Sequence, residues 1–178
     1  MKIKPETLGY VDLTGKTIVS DPCYGRDVWC MKRDLSVKPG QYKVNVVYSD
    51  EGDWGMRVAG IVLVHRDYEG VSLTRWVNDP ADIGVDSGQC GIFDDSIYPI
   101  SKDGPEREAF YDECCKITLS NKQAGILLSG HGIVTSSGYG DGSYILKTIS
   151  RKGENIALMV DFDLVRMNQM MKKLVGLA

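Results

Sequence analysis

The sequence has little of what several function classes require. Only two histidines occur, His65 and His131, so a cysteine or serine nucleophile has just two imidazoles to draw on as a base. The five cysteines, Cys23, Cys30, Cys90, Cys114 and Cys115, are odd in number. Two of them are adjacent and none forms a CxxC pair, which excludes a disulfide framework and a zinc ribbon and suits a reducing compartment. No window approaches the ~20 apolar residues of a membrane helix. Met1 to Glu6 is followed by no apolar run, so no signal peptide is expected. We therefore expect a cytoplasmic protein that does not engage a membrane. The net charge is −3 and the basic residues are scattered, which leaves no footprint for duplex nucleic acid. No G-x-S-x-G elbow or Walker loop is present, and Gly138-Tyr139-Gly140 lacks the third glycine and the helix start of a dinucleotide fingerprint.

What is present is an ordinary globular composition, 43% hydrophobic and 25% charged in 178 residues. A chain of this length fits one domain spanning 1–178, able to bury about 70% of its unfolded surface without staples. Residues 8–12 and 16–20 read as short strands around the Gly15-Lys16 turn. Pro22 donates no ladder hydrogen bond, so the second strand stops at Asp21 and holds its carboxylate at a strand tip. Tyr42 to Tyr48 alternates with period two, and Arg57 to His65 returns as its hairpin partner. Val71 to Trp76 is expected as a strand and Asn78-Asp79-Pro80 as a turn. Pro105 opens a helix to Cys115, with Glu106 and Glu108 at its positive end and Phe110, Cys114 and Ile117 on one face. Strands over 124–128, 132–136, 143–149 and 156–162 follow, then a helix over 164–175. Helices do not alternate with strands, which disfavours a parallel sheet. The expected fold class is α+β and β-rich: a mostly antiparallel bent sheet, sandwich or barrel, with one or two packing helices.

Three stretches depart from plain strand chemistry: Asp21-Pro22-Cys23-Tyr24, Val85-Asp86-Ser87-Gly88-Gln89, and Ser137-Gly138-Tyr139-Gly140-Asp141-Gly142-Ser143-Tyr144. Each combines glycine, which lets backbone or ligand approach closely, with short polar side chains. Asx-type turn chemistry accounts for each of them separately. In this order, and with Phe110 to Cys115, they resemble a domain family of unknown function found in bacteria and their phages, over residues 17 to 162. The resemblance implies a bacterial or phage cytosolic setting and no particular activity.

We expect the motifs to converge on one polar pocket that takes a small polar molecule. Asp21, Cys23, Asp86 and Asp141 are the candidate catalytic residues. Tyr24, Ser87, Gln89, Tyr139, Ser143 and Tyr144 are the candidate ligand-binding residues, and Asp94 is a further carboxylate of interest. Three readings stay open. Asp21, Asp86 and Asp141 could bind a divalent cation through oxygen and activate water. Two carboxylates could split into general acid and base. Cys23 could act as a nucleophile with His131 as base. The alternative to hydrolysis is a non-catalytic binding protein, sequestering a small molecule or blocking a protein partner as a phage counter-defence or immunity-like protein. The sequence does not set the oligomeric state.

Overall fold

A computed structural model describes residues 2–164. Two antiparallel sheets face one another, and neither closes into a barrel. The larger contains β1 (Lys2–Leu13), β4 (Gly40–Asp50), β5 (Met56–His65), β6 (Val77–Val85), β10 (Gly142–Arg151) and β11 (Glu154–Asp161), in the order β1-β4-β5-β11-β10-β6. The smaller contains β2 (Lys16–Ser20), β3 (Lys32–Ser36), β7 (Gln89–Asp94), β8 (Ala124–Ile126) and β9 (Gly132–Ser136), in the order β3-β2-β7-β9-β8. One helix, α1 (Pro105–Thr118), covers the outer face of the smaller sheet. Among the described residues no helix is long and apolar enough to cross a membrane. The helix expected over 164–175 falls, apart from Leu164, outside the described residues.

Side-chain alternation builds the layers. Tyr42, Val44, Val46 and Tyr48 of β4 point inward and meet Val19, Cys90, Ile92 and Ile133 of the smaller sheet. Ile18, Phe93 and Val134 point outward, where Phe110 and Cys114 of α1 cover them. The helix stripe read from the sequence is thus the buried one, and Ile117 packs at its edge. The central strands β5 and β11 are covered on both faces, which is why their sequences run apolar without alternating.

Two expectations over 71–80 are corrected. Val71 to Trp76 is not a strand; it is irregular chain that lays Leu73 and Trp76 over the outer face of the larger sheet. Asn78-Asp79-Pro80 is not a turn but part of β6. Proline is tolerated there because β6 is an edge strand and its register against β10 slips between Ile145 and Lys147, opposite the proline. The Gly15 turn joins strands of different sheets, since β1 pairs with β4 while β2 pairs with β3 and β7.

The three motifs are the three connections at one end of the sandwich. The Asp21 motif leaves β2 toward β3, the Asp86 motif carries the chain from β6 to β7, and the Ser137 motif carries it from β9 to β10. The crossings are bonded to each other: the Ser137 amide donates to the Gly88 carbonyl at 3.0 Å, and Gly142 pairs with Val85.

Candidate functional site

Asp21 holds this end together. Its side chain is fully buried. One carboxylate oxygen accepts from the Cys23 amide at 2.8 Å and the Ser87 hydroxyl at 2.6 Å. The other accepts from the amides of Asp86 at 2.9 Å and Ser87 at 2.7 Å. A carboxylate offers about four acceptor sites, so Asp21 has none left for a substrate or a cation. Strand β2 aims it inward, and the proline after it frees the chain to turn back over it. Its function is to staple the first motif to the second, and Ser87 is the other half of that staple.

Beside the staple lies a surface groove of about 780 Å³. Tyr24, Val28, Trp29 and Cys30 form one wall, from the β2–β3 connection. Asp82, Gly84, Val85 and Asp86 of β6 and its end form the floor, and Asp141, Gly142 and Ser143 close the far side. Gly84 permits this packing. A Cβ there would lie 2.7 Å from the Cys30 sulfur, and the Gly84 amide donates to the Cys30 carbonyl at 2.8 Å. The connection can therefore lie flat on β6 only where the side chain is missing.

Among the described residues the groove carries negative charge without a countercharge. Asp82, Asp86 and Asp141 are exposed in it, and among the described residues no lysine, arginine or histidine lines it. Among the described residues none of the three enters an ion pair. Two are oriented by neutral hydroxyls: Tyr24 donates to Asp86 Oδ2 at 2.8 Å, and Ser143 donates to Asp82 Oδ1 at 2.7 Å. Burial, and then the hydrogen bond to Asp86, push the Tyr24 phenol well above its ordinary range, so it donates and stays neutral. Trp29 stands at the rim, 80% exposed. It has no aromatic partner among the described residues, whereas the other exposed tryptophan, Trp54, packs edge-on to Tyr139. Trp29, Cys30 and Asp82 escaped the sequence reading. Trp29 sits in a segment without apolar period, and Asp82 follows a proline that reads as a turn.

The remaining candidates lie elsewhere. Cys23 is half-buried, and burial together with the Asp21 charge pushes its thiol up to about 12, so it is no thiolate at neutral pH. His131 is at the opposite end of the smaller sheet, where Gly132 pairs with Phe93 while Ser136 pairs with Gln89. It cannot serve Cys23. Gln89 faces α1, accepting from the Thr118 hydroxyl at 3.1 Å and approaching the Cys115 sulfur at 3.5 Å. Tyr144 is buried, and its hydroxyl closes the third motif on the carbonyls of Gly140 at 2.7 Å and Ser137 at 3.1 Å. Tyr139 is 58% exposed and points away from the groove, bonding Glu51 at 2.7 Å. Asp94 lies at the far end of β7 and bonds Thr14 and Ser96.

Of the expected site, Tyr24, Asp86, Asp141 and Ser143 share the groove, and Asp21, Cys23 and Ser87 support it from below. Among the described residues no three His, Cys, Asp or Glu side chains are placed to hold one metal ion. The negative charge is thus spread along the groove rather than focused on a point. No family model matches this chain, and no curated protein or solved structure matches it either.

Proposed function

We propose that the chain is a non-catalytic binding protein whose groove takes a small organic cation carrying two or more amine or guanidinium groups. The observation that carries this reading is the triplet Asp82, Asp86 and Asp141, uncompensated among the described residues, beside the 80% exposed Trp29. Spread carboxylates match charges spread along a flexible ligand, and an exposed indole face attracts a cation within about 6 Å of its centroid. The hydroxyl donors Tyr24 and Ser143 orient the carboxylates without neutralising them. Hydrolysis is the weaker reading, because Asp21 is consumed by four hydrogen bonds and Cys23 stays protonated. The motif resemblance adds a bacterial or phage setting to the proposal.

Calorimetric titration with spermidine at low salt tests it. Wild type should bind and release the ligand as ionic strength rises, since exposed charges are screened beyond about 10 Å at 0.1 M. Asp141→Asn should weaken binding about tenfold, the effect of roughly 1.4 kcal/mol from one lost charge. Trp29→Ala should weaken it by a similar factor. Glucose and glutamate should give no heat. Absence of spermidine binding to the wild-type protein sinks the reading.

A further inference from the structure

We propose that Arg107, on the far side of the smaller sheet from the groove's partner strands, is its positioning residue: the guanidinium fixes the Pro22–Tyr24 turn and so sets where the Tyr24 hydroxyl and the Asp86 carboxylate stand. The inference rests on the organic-cation reading of the groove and deepens it.

Arg107 is 7% exposed, in the first turns of α1. Its Nη2 donates to the carbonyl of Pro22 and, at 2.7 Å, to that of Tyr24. Its guanidinium carbon lies 5.6 Å from the Tyr98 ring centroid and 5.8 Å from that of Phe110. The Tyr98 hydroxyl donates to the same Tyr24 carbonyl at 2.7 Å. No carboxylate pairs with Arg107 among the described residues, and its Nη1 is buried without a hydrogen-bond partner. A buried cation without a counterion is costly to fold. Helix packing does not call for it, because an apolar side chain would fill the space against Tyr98 and Phe110 at lower cost.

What the guanidinium adds is a planar donor that grips two carbonyls of one turn with a single nitrogen. The turn has no strand partner there. It is held from the core side by the Asp21 carboxylate and from the helix side by Arg107, two buried charges that do not touch. The far end of Tyr24 is the hydroxyl that holds Asp86 at 2.8 Å. The chain of contacts therefore runs from α1 through the Tyr24 main chain and ring to a carboxylate of the groove.

A double-mutant cycle in spermidine affinity reads this coupling, using wild type, Arg107→Met, Tyr24→Phe and the double variant. Each single change should weaken binding about tenfold, and the double should be no weaker than either, since residues in one chain of contacts do not add. Arg107→Lys should recover part of the loss. Additive effects, or unchanged affinity in Arg107→Met, overturn the proposal; a purely structural Arg107 would lower melting temperature and show no coupling to Tyr24. If Arg107→Met fails to fold, Arg107→Lys takes its place in the cycle, its loss expected to vanish in the Tyr24→Phe background. A ligand-free readout separates this claim from the groove reading. Carbon-13 ring signals of Tyr24 should move in Arg107→Lys while those of Tyr139 stay, and unmoved Tyr24 signals overturn the positioning role even where spermidine fails to bind wild type.

Discussion

Two fully buried aspartates stand at opposite ends of the β2–β7 ladder, and each ties down a place where the chain changes sheets. Asp94 accepts from the amide of Thr14 at 2.5 Å, its hydroxyl at 3.0 Å, the amide of Ser96 at 3.1 Å and its hydroxyl at 2.5 Å. Thr14 belongs to the crossing from β1 to β2. Asp21 does the same for the crossing from β6 to β7 through Asp86 and Ser87. The difference lies in what each staple holds up. At the Asp94 end the residues bound, Thr14 and Ser96, are short and exposed. At the Asp21 end the stapled segments continue into Tyr24, Trp29 and Asp86, which stand on a groove. A buried carboxylate with full hydrogen bonding is therefore scaffold in both places, and one of the two scaffolds presents exposed carboxylates on a groove, where we propose that ligand binding takes place.

Replacing the two staples should give the largest effects and separate their roles. Asp21→Ala and Asp94→Ala should each cost about 3–4 kcal/mol, because buried donors lose their acceptor. For a chain of this size that lowers the melting temperature by roughly 10 °C, measured by calorimetric scanning. Asp94→Ala should keep spermidine affinity in the folded fraction, while Asp21→Ala should lose it. Equal loss of affinity in both would erase the distinction between the two ends.

Acid should act on the Asp94 end next. Burial alone would raise its carboxyl, but the hydrogen bonds from Ser96 and Thr14 outweigh that and hold it below its ordinary value. The unfolded chain then takes up the proton first, near pH 3.9, so the stability Asp94 contributes is complete above that pH and is lost as pH falls through the depressed folded value. Melting temperatures of Asp94→Asn should lie below wild type at pH 7 and converge with it toward pH 3. Parallel curves would show that the carboxylate's charge contributes nothing there.

Two smaller effects sharpen the reading of the motif end. Cys23, with its thiol near 12, should resist iodoacetamide at pH 7.5 in the folded protein and react on unfolding, as intact mass would record. Rapid native labelling would restore it as a candidate nucleophile. Tyr139→Phe removes an exposed hydrogen bond to Glu51 outside the groove. It should change stability by less than about 0.5 kcal/mol and leave spermidine affinity as in wild type.

Much of the architecture was legible in the residues themselves. The period-two run from Tyr42 to Tyr48, the return through Arg57 to His65 and the helix opened by Pro105 depend on local patterning and survive into the structure. Pro80 misled, because whether proline ends a strand depends on the strand's neighbours; on an edge and at a slipped register it has no ladder bond to lose. The motifs announced themselves by glycine and short polar residues, yet their chemistry did not. Asp21 and Asp86 look alike in sequence, each the first residue past the end of a strand. Only the folded chain decides that Asp21 is buried under four donors while Asp86 faces water, since three of those donors, and the Tyr24 hydroxyl on Asp86, come from segments more than sixty residues away. The sequence by itself determined most of the strands, the helix face and the polar connections, but not the edge strand β6, whose start it read as a turn. The tertiary structure alone decided which carboxylates became scaffold and which were left charged and open, because that choice is made by contacts between distant segments and not by any residue's own propensity.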